Sequence, residues 1–145
     1  ELAENVKQHF LFRAQREGKE ICLSGSGEIT LLCDRTWIIE AVSNLVKNAL
    51  DHTEKGSFVR IEWQAFASVV QITIKDNGCG IHPEDLHHIF KRFYRSRFSK
   101  DTQGIGLGLP LAKAIVEAHN GTIEADSTLG IGTSITINFL IPSKF

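Results

Sequence analysis

Apolar residues along the chain recur with two different periods. Leu2, Val6, Phe10 and Ala14 fall every four positions and predict a helix over residues 1 to about 17, which Gly18 stops. Short strands are expected at Glu20 to Leu23 and Thr30 to Leu32. Asp34 then reads as the N-cap of a long helix, because Trp37, Ile38, Ala41, Val42, Leu45, Val46, Ala49 and Leu50 follow at helical spacing before Gly56. From there the period is two. Val59 to Phe66 and Val69 to Lys75 alternate like the strands of a hairpin that turns near Ala67 and Ser68. His82-Pro83-Glu84-Asp85 opens another helix, with proline in the first turn and acids at the positive end of the dipole. A helix from Leu107 to His119 and two strands, Thr122 to Ser127 and Thr133 to Leu140, around a Gly130/Gly132 turn complete the order. Helices and hairpins intermix without regular strand-helix-strand alternation. The expected fold class is therefore an α/β (α+β) two-layer sandwich, with a mixed, mainly antiparallel sheet packed on about three helices.

Two strands carry a polar residue on their apolar row. Val70, Ile72 and Ile74 share one face, and the row runs on to Asp76. Ile135, Ile137 and Phe139 do the same, with Thr133 at their start. A buried carboxylate without partners costs several kcal/mol, roughly, so something must meet it. If the two strands are neighbours, Asp76 and Thr133 line one pocket. A carboxylate beside a hydroxyl, walled by aliphatic groups, suits a flat ligand with an exocyclic amine. Adenine fits, its amine donating to Asp76 and a ring nitrogen meeting Thr133 directly or through water, whereas guanine would set a carbonyl oxygen against the carboxylate. Asp76-Asn77-Gly78 alone is a turn signal; the phase of the strand and the second glycine, Gly80, favour a ligand.

The long helix bears a polar stripe of Glu40, Ser43, Asn44, Lys47, Asn48 and Asp51. Two mid-helix asparagines one turn apart are unusual, since Asn is a mediocre helix former. Their amide oxygens can ligate Mg²⁺, which takes few protein ligands and keeps phosphates and water. Gly104-Ile105-Gly106-Leu107-Gly108-Leu109 runs into the next helix, where exposed N–H groups favour phosphate. It lacks both usual nucleotide fingerprints. The preceding run from Phe90 to Lys100 interleaves aromatics and cations, as a lid over a polyphosphate would.

Composition narrows the class without adding chemistry. At 145 residues, 42% hydrophobic and 23% charged, the chain is the size and make-up of one globular domain. A net charge of -1 argues against general affinity for nucleic acid, and no apolar run approaches a membrane span. Cys22, Cys33 and Cys79, odd in number and widely spaced, read as reduced thiols in a cytosolic setting. Cys79, His82, His87 and His88 have a zinc-like look, but exposed helix histidines are the plainer reading.

The order of the motifs is recognisable. Asn44-Leu45-Val46-Lys47-Asn48-Ala49, Asp76-Asn77-Gly78-Cys79-Gly80, Phe90-Lys91-Arg92-Phe93-Tyr94-Arg95, Gly104-Ile105-Gly106-Leu107-Gly108-Leu109 and Gly132-Thr133-Ser134 resemble the N box, first glycine box, F box, second glycine box and third glycine box of bacterial sensor histidine kinases. The resemblance covers nearly the whole chain from about Glu20. It implies a Bergerat-type ATP-binding fold with ATP and Mg²⁺ as ligands. Asp76 would receive the adenine amine with Thr133 assisting, Asn48 would ligate Mg²⁺, and Asn44 would lie near metal and phosphates as a catalytic residue with Arg95. Gly78, Gly80, Ile81, Gly104, Gly106, Leu107, Gly108 and Leu109 would line the nucleotide. Asp51-His52 departs from the family's basic-then-aromatic usage, although His52 can still stack or donate.

DNA gyrase and its relatives place a glutamate where Asn44 stands here, and an amide cannot take a proton from water, which favours phosphoryl transfer over hydrolysis. The family's phosphoacceptor histidine precedes this domain and is typically followed by an acid; none of the six histidines here is. Residues 1–19 are thus expected to be a helical tail from a dimerisation and phosphoacceptor hairpin, and residues 20–145 the catalytic domain. Implied partners are that hairpin domain of the same full-length kinase, as a homodimer, and a response regulator receiver domain; nucleic acid is not expected. The domain is expected to be cytoplasmic and not membrane-inserted, within a membrane-anchored bacterial sensor. A serine kinase or ATPase of the same superfamily, or a non-catalytic nucleotide-sensing module, is the alternative.

Overall fold

The computed structural model describes residues 2–25, 35–66, 68–86, 88–91 and 108–140. Helix α1 (Leu2–Glu17) buries Val6, Phe10 and Ala14, the predicted stripe. Gly18, at φ 68°, takes the left-handed conformation that ends it, and the Lys19 N–H closes the turn on the Ala14 carbonyl at 2.8 Å. Strand β1 (Glu20–Gly25) follows directly.

Helix α2 (Arg35–Asp51) sinks Ile38, Ala41, Val42, Leu45, Val46, Ala49 and Leu50 into the core. Trp37 does not join them and is 52% exposed. At 100° per residue it lies about 120° from the centre of that stripe, too far round to face the sheet. The expected Asp34 cap and Thr30 to Leu32 strand lie outside the described residues. Next come β2 (Phe58–Phe66) and β3 (Val69–Asp76), the predicted hairpin, then a single turn, α3 (Pro83–Leu86), where a helix was expected to start. Helix α4 (Gly108–Ala118) and the hairpin β4 (Gly121–Thr128) and β5 (Gly132–Leu140) complete the described elements.

The strands form one sheet in the order β1-β2-β3-β5-β4. β1 runs parallel to β2 and the remaining pairs are antiparallel, so the sheet is mixed. One face carries Val59, Ile61, Val70, Ile72, Ile74, Ile135, Ile137 and Phe139 into a continuous core with α1, α2 and α4. Each fully buried aliphatic side chain there contributes about 1.5–3 kcal/mol, which fixes the register, since a one-residue slip would turn the whole row outward. The opposite face is polar. Gln64, Gln71 and Asn138 link across three strands at 3.1 and 3.0 Å, and Thr73 meets Thr136 at 3.3 Å. The fold is the two-layer α/β sandwich that the periodicity predicts.

Candidate nucleotide site

Strand β3 does not stop short of its carboxylate. Asp76 is the last residue of β3, it stands directly opposite Thr133 of β5, and both side chains lie on the helix-covered face. Asp76 is 7% and Thr133 8% exposed. Strand phase and sheet order therefore bring together the two polar residues that the apolar rows had singled out.

The carboxylate is partly satisfied from its own chain. The Gly78 N–H donates to Asp76 Oδ1 at 2.8 Å, and the Thr133 N–H supports the same group. Burial nevertheless raises the Asp76 pKa above the usual carboxylate value; the two N–H groups and the nearby His52 pull it down without offsetting the desolvation. The site thus holds an acceptor that gains from a further donor.

Two glycines let the chain close around it. Gly80 has φ 79°, and a Cβ there would strike the Thr128 carbonyl oxygen. Gly132 has φ 150°, and a Cβ there would strike the Asp76 carbonyl oxygen, so only glycine lets β5 begin this close to the end of β3. Ile81 follows, its N–H bound to Ser127 Oγ at 2.7 Å. Ser127 also reaches the Gly132 carbonyl at 3.0 Å and the Thr133 hydroxyl at 2.9 Å. The sequence reading missed Ser127. Its signal was available, because Ile123, Ala125 and Ser127 form a third apolar row that ends in a polar residue.

Helix α2 ends near this loop, where the Cys79 thiol lies 3.7 Å from the His52 carbonyl. Asn44 Nδ2 donates back to the Glu40 carbonyl at 3.0 Å, which leaves its Oδ1 as the atom open to a ligand. The Asn48 side chain makes no hydrogen bond among the described residues, so its oxygen is likewise open to a ligand. His52, exposed just past the helix end, is the charge felt by Asp76. Asp51 points its charge elsewhere, to Arg13 at 2.6 Å and Lys47 at 3.2 Å. Among the described residues there is no group of three His, Cys, Asp or Glu that could hold a metal ion.

Gly108 and Leu109 open α4, and Leu109 packs against the core rather than standing clear of it. Arg95, Gly104, Gly106 and Leu107 lie outside the described residues. Of the F box, Phe90 is described, with Lys113 Nζ 5.9 Å from its ring centre. A cleft of about 270 Å³ opens at the ends of β3 and β5, where Asp76, Ser127 and Thr133 line it together with Lys75, Asn77 and Ser134.

A mixed five-stranded sheet with helices packed on one face, and a buried carboxylate opposite a hydroxyl among glycine turns at one end, define a two-layer α/β sandwich with a candidate site at that end. Residues 33–143 match the histidine kinase-, DNA gyrase B-, and HSP90-like ATPase family, and the chain belongs to it. Among curated relatives, the sensor histidine kinase YvrG of Bacillus subtilis is 38% identical over 93% of this chain and 24% of its own length. The sensor-like histidine kinase SenX3 of Mycobacterium tuberculosis is 33% identical over 94% of this chain and 33% of its own. The chain thus spans about a quarter to a third of these relatives. Among solved structures, full-length ShkA in complex with AMPPNP has a TM-score of 0.86 at 26% identity, covering 98% of this chain and 30% of that one. The mycobacterial sensor histidine kinase MprB has a TM-score of 0.82 at 28% identity, covering 97% of each chain.

Proposed function

We propose that this chain is the catalytic unit of a two-component sensor kinase, binding Mg-ATP and presenting its γ-phosphoryl to a histidine on a helical partner domain. The observation that carries the reading is the Asp76–Thr133 pair, buried on the helix side of the sheet. The Asp76 carboxylate accepts the 6-amine of adenine, a charge-assisted bond that a 6-oxo purine cannot make. Asn48, with Asn44, supplies amide oxygens to Mg²⁺, which when bound neutralises charge on the phosphates. Asn44 offers no proton acceptor for water, so the γ-phosphoryl waits for a nucleophile brought by another domain. Catalysis is then mainly positioning.

Residues 1–19 are read as the tail of the dimerisation and phosphoacceptor hairpin. The full-length protein is read as a homodimeric, membrane-anchored sensor with this domain in the cytoplasm. Its phosphohistidine would serve a receiver domain; the histidine kinase ThkA, which shares the fold, is known in complex with the response regulator protein TrrA.

The test is radiolabelled ATP with the lone chain, then with the parent protein's helical hairpin domain added in trans. Acid-labile, base-stable label on the hairpin, and little phosphate release by the lone chain, is the expected result. Transfer should be weak, because cutting the linkage removes its effective concentration. Rapid phosphate release, or stable label on the chain's own serines, would move the assignment to an ATPase or a serine kinase.

A further inference from the structure

Three partners converge on the Ser127 hydroxyl, and their chemistry fixes its one proton. The Ile81 N–H, at 2.7 Å, can only donate. The Gly132 carbonyl, at 3.0 Å, can only accept. The Thr133 hydroxyl, at 2.9 Å, can do either. A serine hydroxyl has one proton and two lone pairs. All three contacts are satisfied together in a single way: Ser127 donates to Gly132, accepts from Ile81 and accepts from Thr133. Any assignment that turns the Ser127 proton to Thr133 forfeits the bond to Gly132 in a part-buried site. Thr133 therefore gives its own proton to Ser127, and only its lone pairs remain for a ligand.

We infer that Ser127 is a positioning residue that holds the Thr133 hydroxyl as an acceptor, so that the base-reading end of the slot offers acceptors only and discriminates 6-amino from 6-oxo purines. The inference rests on the ATP reading above and deepens it. Asp76 is itself an acceptor, so the pair favours a ligand edge rich in N–H groups. The 6-amine carries two, one for each partner. A ring nitrogen, which is an acceptor, cannot be met by Thr133 directly and needs a bridging water, which narrows the two options left open by the sequence to one.

Replacing Ser127 with alanine frees the Thr133 proton to turn into the slot, where it can donate to a 6-oxo group. The same change strands the Ile81 N–H and weakens binding of any purine nucleotide, so overall affinity is not diagnostic. The ratio of dissociation constants for ITP and ATP is. Calorimetry with each nucleotide, without Mg²⁺, on wild type, Ser127→Ala and Ser127→Thr is the experiment. Ser127→Ala should lower the ITP-to-ATP ratio roughly three- to tenfold, the range of one neutral hydrogen bond. Ser127→Thr, which keeps the hydroxyl, should retain the wild-type ratio, and Ser127→Ala should leave the ratio unchanged in a Thr133→Val background. An unchanged ratio in Ser127→Ala, with both nucleotides weakened alike, would overturn the inference and leave Ser127 a structural residue.

Should Ser127→Ala not fold, Thr133→Val alone decides. Loss of an acceptor for the amine should weaken ATP and spare ITP, while equal losses, or a larger loss for ITP, would overturn the inference. Wild-type protein that binds ITP as well as ATP would instead overturn the adenine slot itself.

Discussion

The Arg13 guanidinium of α1 lies 2.6 Å from the Asp51 carboxylate at the end of α2, joining the two helices through residues 38 apart in sequence. Both side chains are about three-quarters buried, at 25% and 23% exposure. Glu17 takes Arg13 Nε at 2.7 Å and Lys19 Nζ at 2.8 Å, so the network also ties the start of β1. Burial pushes the Glu17 carboxyl up, but Arg13 and Lys19 together hold it below its usual value. Asp51 thus serves the docking of α1. Arg13→Ala should cost about 1 kcal/mol of stability, the upper end for a partly exposed pair, and leave ATP affinity unchanged. The double change Arg13→Asp with Asp51→Arg should recover part of the loss. Urea denaturation measures both, and an unaltered midpoint in Arg13→Ala would remove the network from the stability account.

The raised pKa of Asp76 has two consequences of opposite sign. In the unfolded chain the carboxyl titrates at its ordinary value, near 3.8, and in the fold it titrates higher. Between the two the folded state binds more protons, so this group's contribution to stability falls as pH rises through that window. Ligand binding runs the other way, because the amine needs the ionised acceptor. Affinity for adenosine, which carries no titrating phosphate, should therefore collapse on acidification at a pH above the ordinary carboxylate range. Calorimetry from about pH 7 down to pH 4 on wild type and Asp76→Asn checks this. A wild-type profile as flat as the mutant's would contradict it.

With Asn48 as the proposed Mg²⁺ ligand, Asn48→Ala should weaken ATP binding in Mg²⁺ more than in chelator, because it would delete an oxygen ligand and leave the base slot intact. Equal losses under both conditions would take Asn48 out of the metal shell. Asn44 differs from Asn48 in that its amide nitrogen is already committed to the Glu40 carbonyl.

Asp76 and Thr133 were legible in the sequence because strand side chains alternate strictly, so a polar residue on an apolar row announces itself. The α2 stripe was legible for the matching helical reason. Sheet order was not: β1 lies parallel to β2, and β5 inserts between β3 and β4, pairings set by long-range packing that no local period encodes. Trp37 is apolar yet 52% exposed, because its angle round the helix and not its apolar character sets its direction. Ser127 was passed over although its row carried the same sign as Asp76. The Arg13–Asp51 pair has no local signature, since two ordinary charges met only when α1 docked on α2.

The central claim is that Asp76 receives the amine of adenine, and titration of ATP into Asp76→Asn tests it most directly. The substitution keeps the shape of the side chain, replaces a charged acceptor with a neutral amide, and can turn a donor toward the amine. Loss of a charge-assisted bond is worth about 1.5–3 kcal/mol, so the dissociation constant should rise by roughly one to two decades. Circular dichroism on the same sample establishes that the mutant is folded. A folded Asp76→Asn protein that binds ATP as tightly as wild type would contradict the account.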